Sequence, residues 1–113
     1  MTTTPDVAAE WVDVCPADEL AVDDLIRFDH ADRTFAVYRT ADSRYFATDG
    51  ACTHGKVHLS KGYLSGTVIE CAKHNGRFDI TTGRALGAPA LIDLGCHQVR
   101  VTDGIVQLFV GRA

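Results

Sequence analysis

Two short segments carry residues able to hold a metal: Cys52-Thr53-His54 and, after sixteen intervening residues, Cys71-Ala72-Lys73-His74. A C-x-H clip is thus paired with a C-x-x-H clip, offering two thiolates and two imidazoles. Mixed Cys/His donor sets suit zinc, or an iron–sulfur centre in which two histidines replace two cysteines on one of the irons. A zinc finger usually presents a cysteine pair and then a histidine pair, whereas each clip here carries one of each. That alternation favours the binuclear cluster, because each clip can give its cysteine to one iron and its histidine to the other. Structural zinc stays open as the alternative.

The surrounding chain sets limits on what else such a site could do. Its 113 residues make one expected domain, 1–113, with room for a hydrophobic core and for one task. Apolar residues make up 46% and charged residues 23%, which points to a folded globular protein rather than a disordered or fibrous one. A formal net charge of −4 argues against a nucleic-acid binder held by phosphate contacts. Met1–Glu10 shows no basic n-region, apolar h-region or twin arginine, and no apolar run approaches the roughly 18 residues of a membrane span. A cytoplasmic monomer is expected. Two further cysteines, Cys15 and Cys96, are then expected to be reduced core residues rather than a disulfide.

The elements that must position the clips are short strands with turn punctuation, so the chain reads as all-β. Strands are expected at Trp11–Cys15, Leu25–Asp29, Thr34–Arg39 and Arg44–Thr48, forming a meander. Later strands are expected at Gln98–Thr102 and Ile105–Val110, joined by Asp103-Gly104, a pair that tolerates positive φ in a tight hairpin. Pro16-Ala17-Asp18-Glu19-Leu20 suits one helical turn or a loop. Between the two sets lies a loop-rich cap of about 49–90 that holds seven of the ten glycines, with strands at Thr67–Cys71 and Arg77–Ile80 around the second clip. An antiparallel sandwich base would therefore carry a glycine-rich cap.

Over Asp49–Ala90 the chain resembles the Rieske [2Fe-2S] ferredoxins. Cys52-Thr53-His54 is similar to the first box of that family and Leu59-Ser60-Lys61-Gly62 to the L-S-x-G that follows it. Phe78-Asp79-Ile80-Thr81-Thr82-Gly83 resembles the F-D-x-x-T-G after the second box, and Pro89-Ala90 falls where a proline loop covers the cluster. The resemblance implies that Cys52 and Cys71 ligate the inner iron and His54 and His74 the outer iron of one cluster per chain. One departure is Asn75, which stands where the second box usually has glycine.

Respiratory-chain members carry two more cysteines that bridge the cluster loops; Val57 and Lys73 hold those places here. They also carry a serine and a tyrosine that hydrogen-bond cluster and cysteine sulfur, where this chain has Gly76 and Phe78. Fewer donors stabilise the reduced state less, so the potential is expected near the low end of the Rieske range, on the order of −150 mV. In this the chain resembles the ferredoxin components of bacterial ring-hydroxylating oxygenase systems. That resemblance implies a one-electron carrier between a flavin- or NAD(P)H-linked reductase and a terminal oxygenase of aromatic-compound catabolism, not catalytic alone. The alternatives are a nitrite-reductase-like small subunit or a zinc-bound interaction module. Lys56, Lys61, Lys73 and Arg77 outnumber Glu70 and Asp79 over 52–79, which suggests a docking surface for acidic partners. His58 is expected on its rim, with His30 and His97 as ordinary turn and strand residues.

Overall fold

The computed structural model describes residues 10–52, 57–72, 75–88, 90 and 92–111. The expected strands are present, each within about two residues of its sequence bounds. Strands β1 (Glu10–Pro16), β2 (Asp24–His30), β3 (Arg33–Arg39) and β4 (Tyr45–Asp49) precede the first clip. In the cap run β5 (Tyr63–Ser65), β6 (Val68–Glu70) and β7 (Arg77–Asp79), and β8 (Cys96–His97), β9 (Val99–Thr102) and β10 (Ile105–Val110) close the base. Ala17–Glu19 forms a single 3-10 turn behind Pro16.

Three antiparallel sheets result, with strand orders β1-β10-β9, β2-β3-β4-β8 and β5-β6-β7. Local chemistry sets the hairpins. Asp103 and Gly104 sit at φ 52° and 76°, the paired positive values that a two-residue turn between right-twisted strands needs. Along β1 the alternation is interrupted: the register with β10 shifts between Asp13 and Cys15, and this bulge lets both Val14 and Cys15 pack towards the core.

Strand β3 is the common wall of two cores. Phe35, Ala36, Val37 and Tyr38 are all 0% exposed, the continuous apolar run expected of a strand covered on both faces. Phe35 and Val37 join Leu20, Ala47, Val106, Leu108 and Val110 in the sandwich core. Ala36 and Tyr38 point the other way, into a second core with Leu59, Ile69, Phe78, Ile80, Ala90 and Leu94. The one polar atom this second core draws from β3 is satisfied, since Tyr38 Oη and Thr48 Oγ1 lie 2.9 Å apart and Thr48 Oγ1 donates to the Asp49 carbonyl at 2.8 Å.

The cap is less loop-like than its glycine content suggests. It has a sheet of its own, in which Leu64, Ile69 and Phe78 lie side by side across β5, β6 and β7 and turn towards the second core. The bend before this sheet requires Gly62, because a Cβ there would lie 2.1 Å from the Glu70 carbonyl oxygen. Cys96 departs from expectation in another way: it is exposed on β8, with its Sγ 3.9 Å from the Ile80 carbonyl, and is no core residue. A two-residue strand at the sheet edge covers too little of the side chain to bury it. Cys15 is half-buried, and all four cysteines are free of disulfides.

Candidate metal centre

Both clip cysteines arrive in the second core. Cys52 is 3% exposed and Cys71 1%, and they share one apolar cluster although nineteen positions separate them in the chain. Each stands at the mouth of a loop closed in the same way. The Cys52 N–H donates to the Val57 carbonyl at 2.9 Å, and the Cys71 N–H donates to the Gly76 carbonyl at 2.7 Å. The two ends of each clip, Cys52 with Val57 and Cys71 with Gly76, are therefore tied together by a backbone hydrogen bond. His54 and His74 stand between those ends in the sequence and lie outside the described residues, so the structure assigns a place to two of the four expected ligands.

The second clip is shaped by its last residue. Asn75 sits at φ 59°, in the left-handed region where glycine is at ease and asparagine is the next most tolerant residue. The departure from glycine thus keeps the backbone conformation and adds a side chain that points into solvent, since Asn75 is exposed. Behind it Gly76 is buried, and a Cβ there would come within 3.2 Å of the Ala90 Cβ. The Ala90 N–H donates to the Gly87 carbonyl at 2.9 Å, so the segment ending in Ala90 is folded back onto the second clip. This is the position that the resemblance gives to the proline loop; Pro89 itself is outside the described residues.

Sequence reasoning missed the clamp that ties the cap to the base. Asp49, three residues before Cys52, accepts from the Gly95 N–H through Oδ2 at 3.0 Å and pairs through Oδ1 with His97 Nε2 at 2.8 Å. The backbone repeats the connection, with the Asp49 N–H donating to the Gly95 carbonyl at 2.9 Å. His97 also meets the Phe35 ring edge-on at 4.9 Å, so it is more than an ordinary strand residue. The hydrogen bond from His97 holds the Asp49 carboxyl below the usual carboxylate range, helped by the Gly95 N–H and opposed by partial burial. No local signal reveals this pair, whose members stand 48 residues apart.

His58 is half-buried next to the first clip, bridged to Ala51, and its Nδ1 is buried with no hydrogen-bond partner among the described residues. Cys52 and Cys71 bring two thiol sulfurs into one buried apolar cluster, a donor pair of the kind that binds iron–sulfur centres. Among the described residues alone, no three His, Cys, Asp or Glu side chains converge on a metal position.

A family model describing the Rieske [2Fe-2S] domain matches residues 10–99. The chain belongs to the Rieske [2Fe-2S] family. Its cofactor is accordingly a Rieske-type [2Fe-2S] cluster. The Rieske chain is 38% identical to ferredoxin CarAc of Metapseudomonas resinovorans, over 85% of this chain and 90% of that protein. It is 35% identical to the ferredoxin component of the naphthalene 1,2-dioxygenase/salicylate 5-hydroxylase systems of a Ralstonia species, over 87% and 93% of the two. Its fold superposes with a TM-score of 0.85 and 36% identity on a chain from the complex of reduced oxygenase and oxidized ferredoxin in carbazole 1,9a-dioxygenase, covering 91% of this chain and 95% of that one.

Two outcomes follow from the geometry. Asp49→Asn should lower stability at neutral pH by about 1 kcal/mol, a charge-assisted hydrogen bond discounted for half-exposure. Because the folded-state pKa of Asp49 is depressed, that contribution exists above its unfolded value and disappears as pH falls through the folded one. Denaturant titrations of the two proteins should therefore converge in acid, and a gap that stays constant with pH would contradict the clamp. At the second clip, Asn75→Gly should change stability by less than about 0.5 kcal/mol, whereas Asn75→Val should cost about 1 kcal/mol or more, because a β-branched residue resists positive φ.

Proposed function

We propose that this Rieske protein is the ferredoxin component of a ring-hydroxylating oxygenase system. It takes one electron at a time from a flavin- or NAD(P)H-linked reductase and delivers it to a terminal oxygenase, in aromatic-compound oxidation, and turns over no substrate itself. The observation that carries this reading is the similarity, over most of both chains, to proteins named as ferredoxin components of dioxygenase systems. The complex of oxygenase with ferredoxin supports an oxygenase as partner, since one of its chains shares this fold at 36% identity.

Cys52 and Cys71 are the proposed ligands of the inner iron, and His54 and His74 those of the outer iron. When bound, the cluster supplies a site that accepts and releases one electron. The chain's own part is to bury the two thiolates and to present the imidazole side. Two positions beside the second clip offer no side-chain donor: Phe78, 0% exposed in the same apolar cluster as both cysteines, carries none, and Gly76 has no side chain. A cluster so surrounded gains little extra stabilisation on reduction, which favours a low potential. No described helix is long and apolar enough to cross a membrane.

The test is reconstitution. A flavin-linked NADH reductase and the terminal oxygenase of a Rieske system should oxidise an aromatic substrate when this protein is added, and the Cys52→Ser variant should restore nothing. Product formed by the protein alone with NADH and oxygen would refute the carrier role. Direct voltammetry should place the potential near the low end of the Rieske range, about −150 mV, and Phe78→Tyr should raise it if its hydroxyl reaches a cysteine sulfur. A value above zero for the unsubstituted protein would contradict the assignment.

A further inference from the structure

The cap sheet has a second face that the cores leave open. Leu64, Ile69 and Phe78 turn inward, so the residues alternating with them along β5, β6 and β7 turn outward. The sheet also continues past β7: Phe78 bridges Ala85, the Leu86 N–H donates to the Arg77 carbonyl at 2.9 Å, and the Asp79 N–H donates to the Arg84 carbonyl at 2.9 Å. One outward row therefore runs Tyr63, Glu70, Arg77, Leu86, and the row behind it runs Ser65, Val68, Asp79, Arg84. Tyr63 is 66% exposed and Leu86 44%, although both are large and mostly apolar. An open groove of about 300 Å³ lies on this face, lined by Tyr63, Ser65, Val68, Glu70 and Arg77.

The chemistry of the face says what would fit it. Glu70 and Asp79 balance Arg77 and Arg84, so these two rows carry no net charge, and the positive excess expected of the cap is not a property of this surface. Asp79 is occupied, its Oδ1 accepting from the Thr81 N–H at 2.9 Å and from Thr81 Oγ1 at 2.7 Å. Glu70 and Arg77 stand opposite each other in the register, yet among the described residues neither forms an ion pair. Each can therefore meet an opposite charge from outside, with the apolar area of Tyr63, Val68 and Leu86 beside them. A groove of this kind, walled by tyrosine and arginine and rimmed by unpaired polar groups, has the anatomy of a protein–protein anchor site. A small molecule would be held poorly, because its sites bury most of the ligand and the Tyr63 wall is two-thirds exposed.

The place of the face in the fold names the kind of partner. Its first row is the last rung before the second clip: Glu70 precedes Cys71, Arg77 follows Gly76, and the next rung is the hydrogen bond from the Cys71 N–H to the Gly76 carbonyl at 2.7 Å. One residue of strand advances about 3.4 Å, so a body seated on Tyr63, Glu70, Arg77 and Leu86 lies against the flank of that clip. We propose that the outer face of the cap sheet is a docking surface for the protein that takes this chain's electron, a partner that seats an apolar side chain in the groove beside Tyr63, covers Leu86, and sets opposite charges against Glu70 and Arg77. So small a face suits the limited interfaces of transient electron-transfer complexes. The proposal rests on the electron-carrier reading.

The holoprotein and the terminal oxygenase that it supports in reconstitution provide the test. Tyr63→Ser with Leu86→Ser removes apolar contacts at positions exposed in the free protein, and should raise the KM for this protein by about tenfold with kcat little changed. Glu70→Arg with Arg77→Glu keeps the net charge but reverses the pattern, and should raise KM to a similar degree. Val22→Ser, at an apolar position of the base that is 49% exposed, should leave it unchanged. Hexacyanoferrate(III), which takes one electron from each reduced protein to form hexacyanoferrate(II), needs no docking face. Its rate should be the same for all these variants and the unsubstituted protein, with the paramagnetic resonance spectrum of the reduced state unaltered. An unchanged KM in either cap variant, or an equal rise in Val22→Ser, overturns the docking face. Equal losses with the oxygenase and with hexacyanoferrate(III) would overturn it too, by placing the effect on the cluster. An unsubstituted protein that reduces hexacyanoferrate(III) yet supports no oxygenase refutes instead the reading on which the proposal rests.

Discussion

The structure depends on a strand with no exposed side. Phe35 to Tyr38 of β3 are covered on both faces, so the sandwich core and the cluster-side core are built on opposite surfaces of the same four residues. Neither core can shift without disturbing the other, because close-packed interiors transmit displacements rather than absorb them. Two cysteines from separate loops are in this way held against a fixed wall. A cluster shared between two loops needs such a wall, since its ligands come from segments that do not constrain one another locally.

Around that wall the cap combines two kinds of order. Its sheet contributes Leu64, Ile69 and Phe78 to the core, and its clips are pinned at their bases by backbone hydrogen bonds. The link to the base is polar: Asp49 receives Gly95 and His97 just before the chain enters the first clip. Apolar burial therefore positions the thiolates, and a hydrogen-bonded clamp sets where the cap begins.

Much of this was legible in the residues. The clips, the meander and the Asp103-Gly104 hairpin are local signals, written in spacing, alternation and turn chemistry, and the structure realises the strands close to where they were expected. What was not legible is non-local or brief. Strand β5 has three residues and β8 has two, too few for any periodicity to register. Two strands of the cap sheet were legible around the second clip, but β5 was not, and Gly62 just before it lets the chain turn tightly against β6. Cys96 read as core because cysteine usually is, but an edge strand left it exposed. The Asp49–His97 pair could not be seen at all, because only the finished sheet brings β4 beside β8. Asn75 is a departure from the family's glycine that the sequence shows without its consequence, and its left-handed backbone makes it a near equivalent of glycine.

The central claim is that Cys52, His54, Cys71 and His74 together hold a binuclear cluster with mixed ligation, and electron paramagnetic resonance of anaerobically purified, dithionite-reduced protein tests it most directly. With iron and acid-labile sulfide assayed on the same sample, the account predicts about two of each per chain and a rhombic signal whose average g lies below that of an all-cysteine [2Fe-2S] centre, reflecting two nitrogen ligands on one iron. A protein that is silent in resonance and carries one zinc ion would show that the same residues serve structure alone, and would contradict the account.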